Sequence, residues 1–276
     1  MTWNATLELD YTLRDEKTVA HFRHNGPLRI LRSLYPEGEA ICHNVIVHPP
    51  GGLVGGDTLD LRFTVGAGSH GLVTTPGATR FYRSTGEPAL QRTQLQLEPG
   101  ARLEWLPLES ICYSGCRAEN RLTMITAPGS ELIGWDVTAL GLPEANQPFH
   151  LGSFCQHIEV PGVWLEYARI AANDALLLDS PLGMAGKRCM GSLFLVAGSK
   201  LDRKRRQEAL DCARGIIEAN PLCATAGATS PNEQIVVVRV MAERVEPALA
   251  LLKQIWQGWR GHFWQLPAPA PRIWSM

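Results

Sequence analysis

A chain of 276 residues with a net charge of −1 and 45% hydrophobic residues is long enough to bury a substantial core. The near-neutral balance excludes the electrostatic footprint of a nucleic-acid binder, and no window of about 18 uninterrupted apolar residues is present to span a membrane. Met1 to Tyr11 has neither the basic nor the apolar region of a secretory signal, so the seven scattered cysteines read as reduced thiols of a cytoplasmic protein.

Two apolar, strand-like runs, Ile41 to Val47 and Leu59 to Val65, flank the segment His48-Pro-Pro-Gly-Gly-Leu-Val-Gly-Gly-Asp57. That segment is no helix interior, because proline removes a donor and glycine costs about 1 kcal/mol per site. Gly51, Gly52, Gly55 and Gly56 instead predict a shaped loop whose backbone takes positive φ or passes close to something. His48 and Asp57 place potential ligand groups at its two ends. A long turn with no further role fits the same residues.

A turn glycine followed by a strand-like run recurs at Gly38, Gly68, Gly100, Gly129 and Gly162, at spacings of 30, 32, 29 and 33 residues. Three of these glycines follow a proline, as type II turns favour. The near-constant period predicts stacked β-coils, each covering its neighbour's apolar face. A sandwich or barrel is the alternative.

Beyond about residue 190 the pattern changes. Gly191 to Gly198 reads as a strand. Ala209, Leu210, Ala213, Ile216 and Ile217 recur at helical spacing after the N-cap candidate Asp202, and Pro221 stops them. Arg203-Lys204-Arg205-Arg206 then opens that helix on its solvated face. Ile235 to Val240 is β-branched and predicts a strand. Leu249, Leu252, Ile255, Trp256 and Trp259 predict a second helix over Val245 to Trp259, and a proline-rich extended tail follows from Pro267. The expected architecture is one domain over 1–276, mainly β, with β-helix-like stacked strands in 1–190. Strands, two C-terminal α-helices and the tail fill 191–276.

Enzyme signatures are missing: there is no Gly-x-Ser-x-Gly, no His-Glu-x-x-His and no phosphate-cradling Gly-x-x-x-x-Gly-Lys-Ser/Thr. Gly66 to Gly71 matches Gly-x-Gly-x-x-Gly, but Leu72 to Pro76 cannot supply the helix a dinucleotide site needs. Cys112 with Cys116, and Cys155 with His157, are isolated pairs, too few for a structural zinc site. Three carboxylates stand alone inside apolar strand runs: Glu104, Asp136 and Glu166. Each fits the outward position of an alternating strand. Each also lies four to seven residues after a repeat glycine, so stacked coils would bring them near one another. Buried there they need cationic partners, and oxygen ligands hold a divalent metal such as nickel weakly and exchangeably.

His48-Pro-Pro-Gly-Gly-Leu-Val-Gly-Gly-Asp57, Thr75-Pro-Gly-Ala-Thr-Arg-Phe-Tyr-Arg-Ser84, Leu103-Glu-Trp-Leu-Pro107, Trp135-Asp136 and Pro271-Arg-Ile-Trp274 resemble the urease accessory protein UreD (UreH) family. The resemblance runs from about Trp3 to the C-terminus, and the first two motifs in that order are highly specific. It implies a non-enzymatic scaffold with a β-helix-like fold and no permanently bound cofactor. Its implied partners are UreF, through it UreG, and apo-urease, with nickel in transit to the urease active site. It also implies that Asp57, Asp136 and Glu166 line an internal nickel passage; Glu104 matches a family motif with a less defined role. The cysteines at 112 and 116 depart from the family pattern. An enzyme of unrecognised chemistry and a β-solenoid binding module without a metal role are the rival classes. The first would turn over a substrate unaided; the second would bind its partner without nickel.

Overall fold

The computed structural model describes residues 2–275. Asn4–Arg14 alternates exposed and buried positions, as a strand with one wet face does. Thr58–Val65, Ala89–Leu97, Cys116–Thr126 and Gly152–Val160 follow it in one parallel, in-register array. Antiparallel strands Lys17–Asn25 and Trp164–Ala171 close the two edges of this first sheet. A second sheet faces it. Its parallel strands are Ile41–Val47, His70–Thr74, Arg102–Leu106 and Glu131–Leu142. Cys189–Ala197, Ile235–Ala242 and Ala226–Asn232 extend it antiparallel on one side, and Arg29–Leu34 on the other.

The chain passes back and forth between the sheets, so the architecture is a β-solenoid. Gly68, Gly100 and Gly129 make the crossings at φ +70°, +70° and +75°. They also stack: a Cβ on Gly100 would lie 3.9 Å from the Gly68 nitrogen, and one on Gly129 3.8 Å from the Gly100 nitrogen. The sequence repeat is therefore physical at its centre. It fails at Gly38, which turns the hairpin between Arg29–Leu34 and Ile41–Val47 in the second sheet, and at Gly162, whose turn is a hairpin returning Trp164–Ala171 antiparallel within the first sheet. A narrow third side is formed by Thr79–Phe81, Ser110–Cys112 and the end of Glu131–Leu142, all parallel.

The core between the sheets holds Leu61, Phe63, Leu95, Leu103, Trp105 and Phe154. The second sheet is buried on its other face too, where Leu72, Leu106, Ile133, Trp135, Leu193 and Leu195 meet the helices. The helices are α1 (Ala175–Asp179), α2 (Arg203–Glu218) and α3 (Val245–Trp264). Asp202 caps α2 by accepting from the Arg205 N–H at 2.8 Å. Arg205 also reaches Glu131 at 2.5 Å and covers the Phe263 ring, so the basic run is only partly solvated. α3 buries Leu249, Leu252, Ile255, Trp256 and Trp259 as expected, then continues to Trp264. The tail does not stay extended. It ends in a 3-10 turn, Arg272–Ser275, and Trp274 seats 5.5 Å from Trp135 and 5.7 Å from Trp256. No helix among the described residues is long and apolar enough to cross a membrane.

The glycine loop is the first rung of the third side. Leu53 N–H donates to the Arg80 carbonyl at 2.7 Å and Tyr82 N–H to the Leu53 carbonyl at 2.8 Å. Gly51 and Gly56 take φ +75° and +87°. Gly52 and Gly55 are needed for space: a Cβ would come 2.7 Å from the Arg80 carbonyl oxygen and 2.6 Å from that of Glu87. Gly52→Ala and Gly55→Ala are each expected to cost about 1–3 kcal/mol through forced backbone shifts. Gly77→Ala, which meets open space, should stay within about 0.5 kcal/mol. Thermal melts of the three variants check this; equal melting points would reduce the loop glycines to filler.

Candidate functional site

Parallel stacking in register lines up matched positions in columns across a sheet. One inward column of the first sheet reads Leu59, Gln91, Asn120, Gln156. Facing it, the second sheet and third side present Asp136, Ser192 and Arg239 in one column, and Thr79, Ser110 and Thr138 in another. These columns meet at Asp136. Its Oδ2 accepts from Asn120 Nδ2 at 2.7 Å, and its Oδ1 from Gln156 Nε2 at 2.6 Å and Thr138 Oγ1 at 3.4 Å. Gln91 Nε2 donates to Asn120 Oδ1 at 3.3 Å.

Asp136 is 7% exposed and has no cationic partner among the described residues. Burial raises its pKa to about 6, the Glu166 charge adds to the rise, and the three side-chain donors only partly offset it. Glu166 stands on the edge strand. Its Oε1 accepts from Ser192 Oγ at 3.0 Å, and its Oε2 from Arg239 Nη2 at 2.6 Å and Nε at 3.2 Å.

Two cavities continue this polar tract. A narrow one of about 20 Å³ is bounded by Thr93, Asn120 and Asp136, with room for about one water-sized body. It shares Thr79, Gln91 and Trp105 with a larger one of about 180 Å³ that reaches His48 and the exposed rim Pro76–Gly77. Among the described residues Thr93 Oγ1 and Gln156 Oε1 are buried without a hydrogen-bond partner, although buried polar atoms are normally paired. The cavities thus lead from His48 past Gln91 to Asp136, and beyond it the polar column continues by register through Ser192 to Arg239, which pairs with Glu166.

Asp57 and Glu104 lie elsewhere. Asp57 accepts from the N–H groups of Trp3 at 2.8 Å and Val54 at 2.9 Å, so it fastens its own loop and the N-terminal strand. It shares a side cavity of about 220 Å³ with His48. Burial lowers the His48 pKa against the pull of Asp57. Glu104 pairs in register with Ile133. Asp136 is three residues further on, and alternation therefore puts the two acids on opposite faces.

Glu104 faces α3, fully buried. It accepts from Trp256 Nε1 at 2.6 Å, His70 Nε2 at 2.8 Å and Arg260 Nε at 3.2 Å. Arg260 also binds Glu37 through Nη1 at 2.7 Å and Nη2 at 2.9 Å, and meets the Pro267 carbonyl. His43 completes the set on Glu37 at 2.9 Å.

Cys112 and Cys116 are both buried; Cys116 Sγ donates to the Ser153 carbonyl at 3.9 Å, and burial pushes the Cys112 pKa well up. Cys155 and His157 do not form a ligand pair; His157 bonds Glu159 at 3.0 Å instead. Between them Gln156 is the residue that turns inward. Among the described residues no three His, Cys, Asp or Glu side chains form a ready metal cage. Gln91, Asn120, Ser192 and Arg239 went unread in the sequence, because a neutral amide or a lone cation in a strand looks like an outward position.

Arg260→Met should strip the shared guanidinium from buried Glu37 and Glu104 and cost about 3–5 kcal/mol. Arg239→Gln, at a half-exposed pair, should cost no more than about 1 kcal/mol. Denaturant unfolding of the two variants compares them, and equal losses would refute the distinction.

Asp136 also gives a pH signature. Its folded pKa of about 6 lies above the ordinary value of 3.8, so stability falls as pH rises through that window and is flat above it. The total is about 3 kcal/mol. Asp136→Asn lacks this loss. The stability difference, variant minus native, should therefore grow by about that amount between about pH 4 and pH 7 in denaturant titrations. A pH-independent difference would contradict the burial argument.

The sequence model of the family described as UreD urease accessory protein matches residues 4–275. The chain is 78% identical over 276 residues to a urease accessory protein UreD from Polaromonas naphthalenivorans, covering 100% of both chains. It is 65% identical to one from Paracidovorax citrulli, again over 100% of both, and 52% identical to one from Leptothrix cholodnii, over 99% of both.

Proposed function

This chain belongs to the urease accessory protein UreD family, and we propose that it serves urease maturation as a non-catalytic scaffold whose interior tract passes nickel to apo-urease. The observation that carries the reading is Asp136. It is a buried carboxylate with neutral donors and no cation, beside the partnerless Gln156 Oε1. A divalent cation supplies what such a site lacks. The donors are carboxylate, amide and hydroxyl oxygens, which hold nickel loosely enough to release it. A constriction of about 20 Å³ admits the ion only stripped of most of its water, so Asp136, Gln156 and Thr93 stand in for the hydration shell. Nickel is cargo on this reading, not a resident cofactor.

The partners are those the resemblance implies: UreF, UreG through UreF, and the apo-urease subunits, in the cytoplasm. Leu31, Leu176 and Leu182, each largely exposed, are the kind of apolar surface that a partner covers. A β-solenoid binding module without a metal role is the second reading. It is favoured by the missing three-ligand cluster among the described residues and by Asp57, both of whose oxygens are taken by backbone N–H groups.

Asp136→Asn and Glu166→Gln, singly and together in a urease-positive host, separate the two. We expect the nickel content of urease to fall several-fold while soluble accessory complex and urease subunits hold steady. Asp57→Asn should behave differently. Its amide nitrogen cannot accept from a backbone N–H, and a stranded donor costs about 1–3 kcal/mol, so soluble protein falls together with activity. Full nickel loading in the Asp136/Glu166 double variant would overturn the passage.

A further inference from the structure

Asp136, Ser192 and Arg239 occupy matched positions on three adjacent strands, about 4.8 Å apart from strand to strand. Two steps therefore lead from a buried carboxylate to a guanidinium whose side chain is 51% exposed. From the facing sheet Glu166 crosses the gap and touches both Ser192 and Arg239. This pair stands at the outer end of the polar column.

The contact is built to open. Arg239 places Nε and Nη2 on the same oxygen, Oε2, while Oε1 goes to Ser192. It is thus not the two-oxygen fork that makes arginine pairs strong, and half-exposed pairs add little to stability. The edge strand does not need it either. Trp164–Ala171 is fixed by eight registered pairs with Gly152–Val160, and Asn232 Nδ2 donates to the Val163 carbonyl at 2.9 Å. Arg239 also has somewhere to go. Its cross-strand neighbour is Gly227, where a side chain would meet nothing within 4 Å.

Charge gives the opening a purpose. With Arg239 in place, one positive charge faces two carboxylates and repels a cation in the tract. With it swung out, Asp136 and Glu166 together balance a divalent ion. Ser192 Oγ and the unpartnered Gln156 Oε1 supply neutral oxygens. We infer that Arg239 is the gate of the tract, holding Glu166 until a divalent cation displaces its guanidinium into the open space beside Gly227. The gate rests on the nickel reading above.

Titrating the full-length protein with Ni²⁺ by calorimetry tests both and tells them apart. Arg239→Gln should tighten Ni²⁺ binding about tenfold or more, as the loss of one opposing charge in a partly buried site implies, with the melting temperature barely moved. Arg239→Lys should tighten it less, and adding Glu166→Gln to Arg239→Gln should erase the gain. If Arg239→Gln leaves affinity unchanged while Asp136→Asn weakens it, the tract takes nickel but Arg239 is not its gate. If none of the variants alters Ni²⁺ binding, the gate and the passage fall together.

Discussion

In-register parallel stacking governs everything else in this molecule. Once Gly68, Gly100 and Gly129 set equal turns, each inward position of one coil lies beside the same position of the next. A single inward amide would be a costly buried polar group. Gln91, Asn120 and Gln156 at one matched position become a ladder, and Asp136 from the facing sheet gives its last two rungs an acceptor. The polar line along the solenoid axis follows from register, since no loop has to be shaped to build it.

Register also explains why the helices are indispensable. A parallel sheet is normally covered on both faces, and the second sheet presents Leu72, Leu106, Ile133 and Trp135 on its far side. α3 covers them and is held by Trp256 and Arg260 on Glu104. The tail adds Trp274, whose Nε1 donates to Thr74 Oγ1 at 2.8 Å. Glu104 and Asp136 thus divide the labour between two faces of one sheet. One is saturated by cationic and indole donors and fixes the wall; the other lacks a cation and lines the interior.

Much of the fold was legible because its signals are local. Proline–glycine turns, β-branched runs and the cap at Asp202 each act within a few residues. The solenoid reading went astray where the same local signal serves a different geometry: Pro161-Gly162 makes a hairpin as readily as a coil turn. α1 spans five residues, too few for periodicity to register, and the apolar periodicity that carries α3 ends at Trp259, a turn before the helix itself does at Trp264. Among the site residues, Asp136 and Glu166 stood out as lone acids. Glu104 was grouped with them by distance from a glycine, which ignores the alternation that turns it away. Arg260 looks like any helical surface residue until Glu37 and Glu104, remote in sequence, close around it.

The tract's chemistry follows from what its residues fail to do. A tight metal site would gather thiolates or imidazoles, and tight sites release slowly. Here the Cys116 thiol donates to the Ser153 carbonyl, and the histidines His43 and His70 are spent on Glu37 and Glu104. Beyond His48 in the outer cavity, what remains along the axis is oxygen, with one carboxylate whose pKa of about 6 leaves it ionised at neutral pH and readily protonated below. A cation there competes only with a proton and with Arg239. On the proposed reading both competitors can leave, so each occupancy of the site is reversible. Reversibility is what distinguishes a conduit from a store. It is obtained by withholding strong ligands from an interior that the fold could have filled with leucine.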